Sequence, residues 1–208
     1  MARDNTGATD GLREEMVPLI EDFQTRCARA GLDLLIYCGL RSGITQARIW
    51  RQGRTTAEIE AVVNTGRTYQ GNILSGLKTP KDRDVDRARA AEKAIPDLAM
   101  FAPAETDPVA VARFLNWSLG CIVTVGPQKG TIRRTNAQPG RSAHQYGVAV
   151  DAIITQDGKA LWDEPDAVQE MGEHGEAAGL EWAGRWESFP ERVHFQLPAW
   201  EKRIRGEN

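Results

Sequence analysis

Cysteine and histidine are both scarce in this chain, which has three of each in 208 residues. Cys27, Cys38 and Cys121 are odd in number, far apart and without a C-x-x-C pair. That excludes a disulfide framework and a site built on paired thiolates, and leaves each cysteine as a small buried apolar residue. No apolar run approaches the length of a membrane span, and the opening "MARDNTGATDGLREEM" lacks the apolar core of a secretory signal. The expectation is a protein made in the cytoplasm, with no membrane insertion. A surplus of one charge is missing too. The net charge is -3 and the pI about 5.7, so binding to nucleic acid through bulk electrostatics is excluded. The basic run "KGTIRR" is short and reads as a solvated hairpin. What is present is 41% hydrophobic and 26% charged residues, enough apolar material for a real core.

Periodicity then divides the chain. "REEMVPLIEDFQTRCARAGL" puts Leu19, Ile20, Phe23 and Cys27 on one helical face, with Gly31 as the stop, and "DLLIYCG" follows as a buried strand. "GLRSGITQARIWRQGRT" turns into a short helix, from which Arg41 and Gln46 can point into a cleft. Residues 55–130 change character and read as a mostly helical insertion or lid. Thr55 and Glu58 form a capping-box pattern, "PKDRDVDRARAAEKAI" is densely charged, and Asp107 with Pro108 opens another helix. "CIVTV" and "TIRRTNA" read as strands, as does "RVHFQL" near the end. "DEPDAVQEMGEHGEAAGL" is a helix weakened by Gly172 and Gly175. The fold class expected is α+β, one domain with a small antiparallel sheet, flanking helices and the insertion.

The chemistry concentrates in "PGRSAHQYGVAVDAIITQDG". Gly147 permits a close approach or an unusual backbone angle, and "VAVDAII" is a branched, buried strand. Asp151 is out of place on it, because a carboxylate in an apolar run is costly without a cation, a metal or several hydrogen bonds. His144 and Asp151 therefore face one positive object. His194 follows Glu191 by three residues in "ERVH". Two imidazoles and a carboxylate with an open fourth position match a catalytic zinc site, beside which an unbound glutamate can act as base. The residues alone also permit a plainer reading, in which His144 caps a turn and His194 is a hydrogen-bonded core residue. His174 lies on the charged helix and is expected to face solvent.

"SAHQYGVAVD" resembles the S-x-H-x-x-G-x-A-x-D signature of the zinc D-alanyl-D-alanine carboxypeptidase and L-alanyl-D-glutamate endopeptidase family, which shares its fold with the hedgehog signalling domain. "GLEWAGRWESFPERVHFQLP" is similar to that family's second signature, and "FQTRCARAGLDLLIYCGLRSGITQ" to its opening segment. The resemblance implies a hedgehog/DD-peptidase-like fold in which His144, Asp151 and His194 bind zinc and Glu191 is the catalytic base. It also implies that Arg41 stabilises the oxyanion, and that Ser142, Gln46 and Trp186 contact substrate. The implied substrate is the stem peptide of peptidoglycan. The "GLEW" tail points to the L-alanyl-D-glutamate bond and to a phage or prophage endolysin that waits in the cytoplasm until lysis, as a monomer. The alternatives are a D-alanyl-D-alanine carboxypeptidase and a non-catalytic, zinc-containing wall-binding module. Residues 55–130 depart from the family pattern, which has a short connection there.

Overall fold

A computed structural model describes residues 6–76, 108–126, 128 and 132–204. The charged stretch 80–95 and the expected cap Asp107 lie outside them. By chain contacts the molecule divides into two compact units, one of residues 1–41 and 143–200, the other of residues 42–142 and 201–208.

The first unit is built on an antiparallel sheet. Its strands are β1 (Asp33–Cys38), β2 (Ala149–Gln156), β3 (Lys159–Ala160), β4 (Glu181–Trp182) and β5 (His194–Gln196), in the order β1-β2-β5-β4, with β3 pairing β2. Pairing alternates the two faces. Ile36 stands opposite Ala152, Val150 opposite Phe195, and Phe195 opposite Trp182. These side chains are buried and form one face of the core. Against the sheet run a one-turn helix α1 (Thr6–Thr9), α2 (Val17–Arg29) and a later helix, Pro165–Ala177, numbered α6 below. Ile20, Phe23 and Cys27 line the buried side of α2, at the expected spacing, and the Phe23 and Phe195 rings lie 4.7 Å apart. Gly31 ends the segment with φ +78°.

The glycines of Pro165–Ala177 have a packing cause that a propensity scale does not show. A Cβ on Gly172 would lie 2.4 Å from the Trp182 ring, and one on Gly175 would lie 2.3 Å from the Phe195 ring. The helix gives up propensity to let two aromatic side chains reach its backbone.

The described residues of the second unit include three helices, α3 (Gly43–Arg51), α4 (Thr56–Gly76) and α5 (Pro108–Thr124). Ser42 caps α3 by accepting from the Thr45 N–H. The Thr55/Glu58 capping box forms in both directions, at 2.7 and 3.2 Å. Trp50, Ile59, Val63, Leu119 and Ile122 make its core. Two strand expectations fail here. "CIVT" completes α5 instead of starting a strand, because Cys121 and Ile122 fit the helical stripe that packs on α3 and α4. The described residues of "TIRRTNA" form no strand. The last described element is α7 (Trp200–Ile204). Among the described residues no helix is long and apolar enough to cross a membrane.

Candidate metal centre

The other face of the sheet carries the polar residues. Asp151 pairs with Cys38 on one side and His194 on the other, so one row crosses three strands. One register step away, Gln196 pairs with Glu181. Because side chains alternate along a strand, the row that points away from Phe195 points toward this site. The Phe195 face makes the core that fixes the strands, and the opposite face aims the donors.

His144 arrives from a 3-10 turn, Ala143–Tyr146. Gly147 then takes φ +66°, and a Cβ there would lie 2.5 Å from the Gly11 carbonyl oxygen. Both properties expected of this glycine are therefore used at once. The His144 ring drops beside Asp151, with Nε2 at 3.1 Å from Asp151 Oδ1 and at 3.1 Å from His194 Nδ1. His194 Nδ1 lies 3.3 Å from the same oxygen.

The far nitrogens are held as well. His144 Nδ1 is 2.8 Å from the Gly39 carbonyl oxygen, an acceptor only, so this nitrogen carries the proton. His194 Nε2 is 3.1 Å from Gln196 Oε1, while Gln196 Nε2 donates to Glu181 Oε1 at 3.1 Å. That orientation of the amide makes His194 Nε2 a donor too. Two imidazole lone pairs and a carboxylate oxygen then face one another, the rings buried and the Asp151 side chain 13% exposed, with no proton left to separate them in the neutral rings. Such a cluster needs a positive charge at its centre. The spacing of 3.1 to 3.3 Å matches the edge of about 3.3 Å in a tetrahedron with bonds of 2.0–2.1 Å, so the donors fit a zinc-sized ion.

The electrostatics agree. Burial would raise the Asp151 carboxyl, but hydrogen bonds and charge from His144 and His194 outweigh it and hold Asp151 well below the carboxylate range. Burial lowers His144, against the pull of Asp151. Burial would lower His194 as well, yet the Asp151 hydrogen bond and charge, with Gln196 and Glu191, raise it. Of the two imidazoles, His194 is thus the one that holds a proton more readily when no metal ion is bound.

Arg41 and Glu191 complete this side of the sheet. The Arg41 backbone N–H donates to the His144 carbonyl at 3.1 Å. Its Nη2 donates to Asp151 Oδ2 at 2.9 Å and contacts Cys38 Sγ at 3.2 Å. Glu191 sits in the bend before β5, where the His194 N–H donates to its carbonyl at 3.1 Å. Burial raises the Glu191 carboxyl first, His194 and Arg41 lower it, Asp151 raises it, and the net direction is upward. The Trp186 ring lies 5.7 Å from the His194 ring, and its Nε1 donates to Glu181 Oε1 at 2.9 Å.

The first unit thus brings together His144, Asp151, His194, Arg41, Glu191 and Trp186. Ser142 and Gln46 belong to the second unit, where both are buried and Gln46 Nε2 donates to the Ala137 carbonyl at 2.8 Å. His174 is half-buried on α6 (Pro165–Ala177), 3.8 Å from Glu170, and does not face open solvent as expected.

Two residues escaped the sequence reading. Gln196 had a signal, since a polar residue two after His194 shares its strand face. Cys38 had none, because alternation from Leu35 gives that face to Tyr37. A bulge between Ile36 and Cys38 moves the register by one residue, so Cys38 sits half-buried beside Arg41 and not in the apolar core.

Residues 135–197 match the model of a family described as D-alanyl-D-alanine carboxypeptidase. The matched segment is the one that carries His144, Asp151 and His194. The chain is also similar to the peptidoglycan L-alanyl-D-glutamate endopeptidase CwlK of Bacillus subtilis, 37% identical over 79 residues, which cover 34% of this chain and 47% of that protein. The match thus spans less than half the length of this curated relative. Two solved structures are also similar. The L-Ala D-Glu endopeptidase ChiX of Serratia marcescens has 15% identity and a TM-score of 0.43, over 95% of this chain and 88% of that one. A vancomycin resistance D,D-pentapeptidase, VanY, in complex with Zn(II), has 13% identity and a TM-score of 0.42, over 94% and 79%.

Proposed function

We propose that this protein is a zinc-dependent peptidase of the peptidoglycan stem peptide that cuts the L-alanyl-D-glutamate bond, with residues 55–130 inserted in a single peptidase domain. The observation that carries the reading is the convergence of His144 Nε2, His194 Nδ1 and Asp151 Oδ1, with the outward ring nitrogens tied to the Gly39 carbonyl and Gln196. The specific bond is the one cut by CwlK.

In this reading His144, Asp151 and His194 hold the ion. Bound there, zinc supplies Lewis acidity, drawing the pKa of a water toward about 7 and polarising the scissile carbonyl. Glu191 accepts the proton from the attacking water and returns it to the departing amine. Burial raises its pKa, which makes the carboxylate a stronger base than an exposed glutamate. Arg41 fixes Asp151 through Oδ2, leaving Oδ1 to the imidazoles. A guanidinium has five N–H donors, and another of them would meet the developing oxyanion. Trp186, beside His194, would contact the stem peptide.

The test is mass spectrometry of purified peptidoglycan digested with and without chelator. Stem peptides that begin at D-Glu, formed only with metal, support the reading. Loss of terminal D-Ala alone would make the protein a D-alanyl-D-alanine carboxypeptidase, and no metal-dependent product would leave a wall-binding module. The finer setting, a monomeric endolysin of a phage or prophage, predicts lysis only when the protein is expressed together with a membrane-permeabilising holin.

A further inference from the structure

The two-residue strand β4 contributes a carboxylate to which the metal reading gives no task. Trp182 pairs with Phe195 on the core face, so its neighbour Glu181, paired with Gln196, lies on the face that carries the donors. One oxygen of Glu181, Oε1, accepts from two sides, from Gln196 Nε2 at 3.1 Å and from Trp186 Nε1 at 2.9 Å. An indole N–H only donates and a carboxylate only accepts, so the direction of both bonds is fixed. The Gln196 amide therefore keeps its NH2 toward Glu181 and its oxygen toward His194 Nε2, 3.1 Å away. Trp186, whose ring lies 5.7 Å from the His194 ring, braces the carboxylate in this position.

We propose that Glu181 is a positioning residue that sets the direction of the Gln196 amide and thereby aims the His194 Nδ1 lone pair at the ion, an inference that rests on the metal reading above. An amide has two ends of nearly equal shape, one an acceptor and the other a donor. Only its oxygen, turned toward Nε2, keeps the ring proton there and leaves Nδ1 free to bind. Without Glu181 the amide can turn over and offer its NH2 to Nε2, which puts the ring proton on Nδ1. The ion then meets only a fraction of the molecules in the competent arrangement, and its apparent affinity falls by that fraction. Glu181 acts through Gln196 and binds neither the ion nor the substrate itself.

Zinc affinity of the full chain, measured by competition against a chromophoric chelator, tests this in a cycle of variants. Glu181→Leu should bind zinc about three- to tenfold more weakly than wild type. In a Gln196→Leu background the same replacement should change the affinity by less than about twofold, because the group it acts through is gone. A merely structural loss would weaken both backgrounds alike. Glu181→Gln keeps an oxygen for the Trp186 and Gln196 N–H groups and should stay within about twofold of wild type. Nuclear magnetic resonance of the wild type needs no variant to fold, and the Gln196 NH2 should exchange with solvent about tenfold or more slowly than an exposed glutamine amide. Equal losses in both backgrounds, unchanged zinc affinity in Glu181→Leu, a glutamine variant as weak as the leucine one, or a freely exchanging Gln196 amide overturns the role of Glu181 and leaves the three-ligand site standing. No zinc binding by the wild type overturns the metal reading itself.

Discussion

The orienting role of Gln196 gives the sharpest quantitative test. Gln196 is 7% exposed, accepts from His194 Nε2 at 3.1 Å and donates to Glu181 Oε1 at 3.1 Å. Replacing it by leucine keeps the volume and removes both bonds. His194, itself 5% exposed, is left with a buried N–H and no acceptor, which costs about 1–3 kcal/mol. Glu181 keeps the Trp186 Nε1 bond at 2.9 Å, so the loss on that side is smaller, about 0.5–1 kcal/mol. Added apolar burial by leucine returns part of this, so the metal-free protein should lose about 2 kcal/mol in a urea titration with chelator present. The metal effect is separate. Without the acceptor, the proton on His194 is free to move to Nδ1, the atom that faces Asp151 and His144. Competition against a chromophoric chelator should then show zinc bound about 10- to 100-fold more weakly. A folded Gln196→Leu protein with zinc affinity within about twofold of wild type would refute the reasoning, because the tautomer would not depend on Gln196.

Three further outcomes are expected. The raised Glu191 pKa makes its folded-state value higher than the unfolded one, so its contribution to stability is greatest below the ordinary carboxylate range and is lost as the pH rises through the folded value. Glu191→Gln should accordingly gain in melting temperature over wild type as pH increases through that window in the presence of chelator; an equal difference at about pH 3 and about pH 8 would contradict it. Gly147→Ala combines φ +66° with a Cβ placed 2.5 Å from the Gly11 carbonyl oxygen, and should lose about 2–4 kcal/mol in urea. A loss under about 0.5 kcal/mol would show that the loop relaxes freely. Burial raises all three thiols, Cys27 to about 12 and Cys121 to about 11, but Cys38 alone is only half-buried, so native protein at about pH 8 should be alkylated first at Cys38 in peptide mapping.

The legible features were those set by local chemistry. The Thr55/Glu58 box satisfies donors within a single turn, Gly147 is demanded by its own backbone angle, and Asp151 stands out because nothing apolar explains it. What failed depended on partners distant in sequence. "CIVT" has the branched residues of a strand, but Ile122 packs against α3 and α4 as part of a helix, and no local pattern carries that preference. The bulge at Tyr37 is likewise a property of the pairing with β2, invisible in "DLLIYC" alone. Gly172 and Gly175 look like defects until Trp182 and Phe195 are seen against them.

The hydrogen bond from the Arg41 N–H to the His144 carbonyl has an architectural consequence. The chain leaves the first unit at Arg41 and comes back at Ala143, and that bond clamps the two ends together at 3.1 Å. To the sheet, the hundred residues between are one connection, and connections become more costly only with the logarithm of their length. Arg41 and Ala143 thus form a socket, able to accept a brief turn or an entire folded body without moving the strands that aim His144, Asp151 and His194.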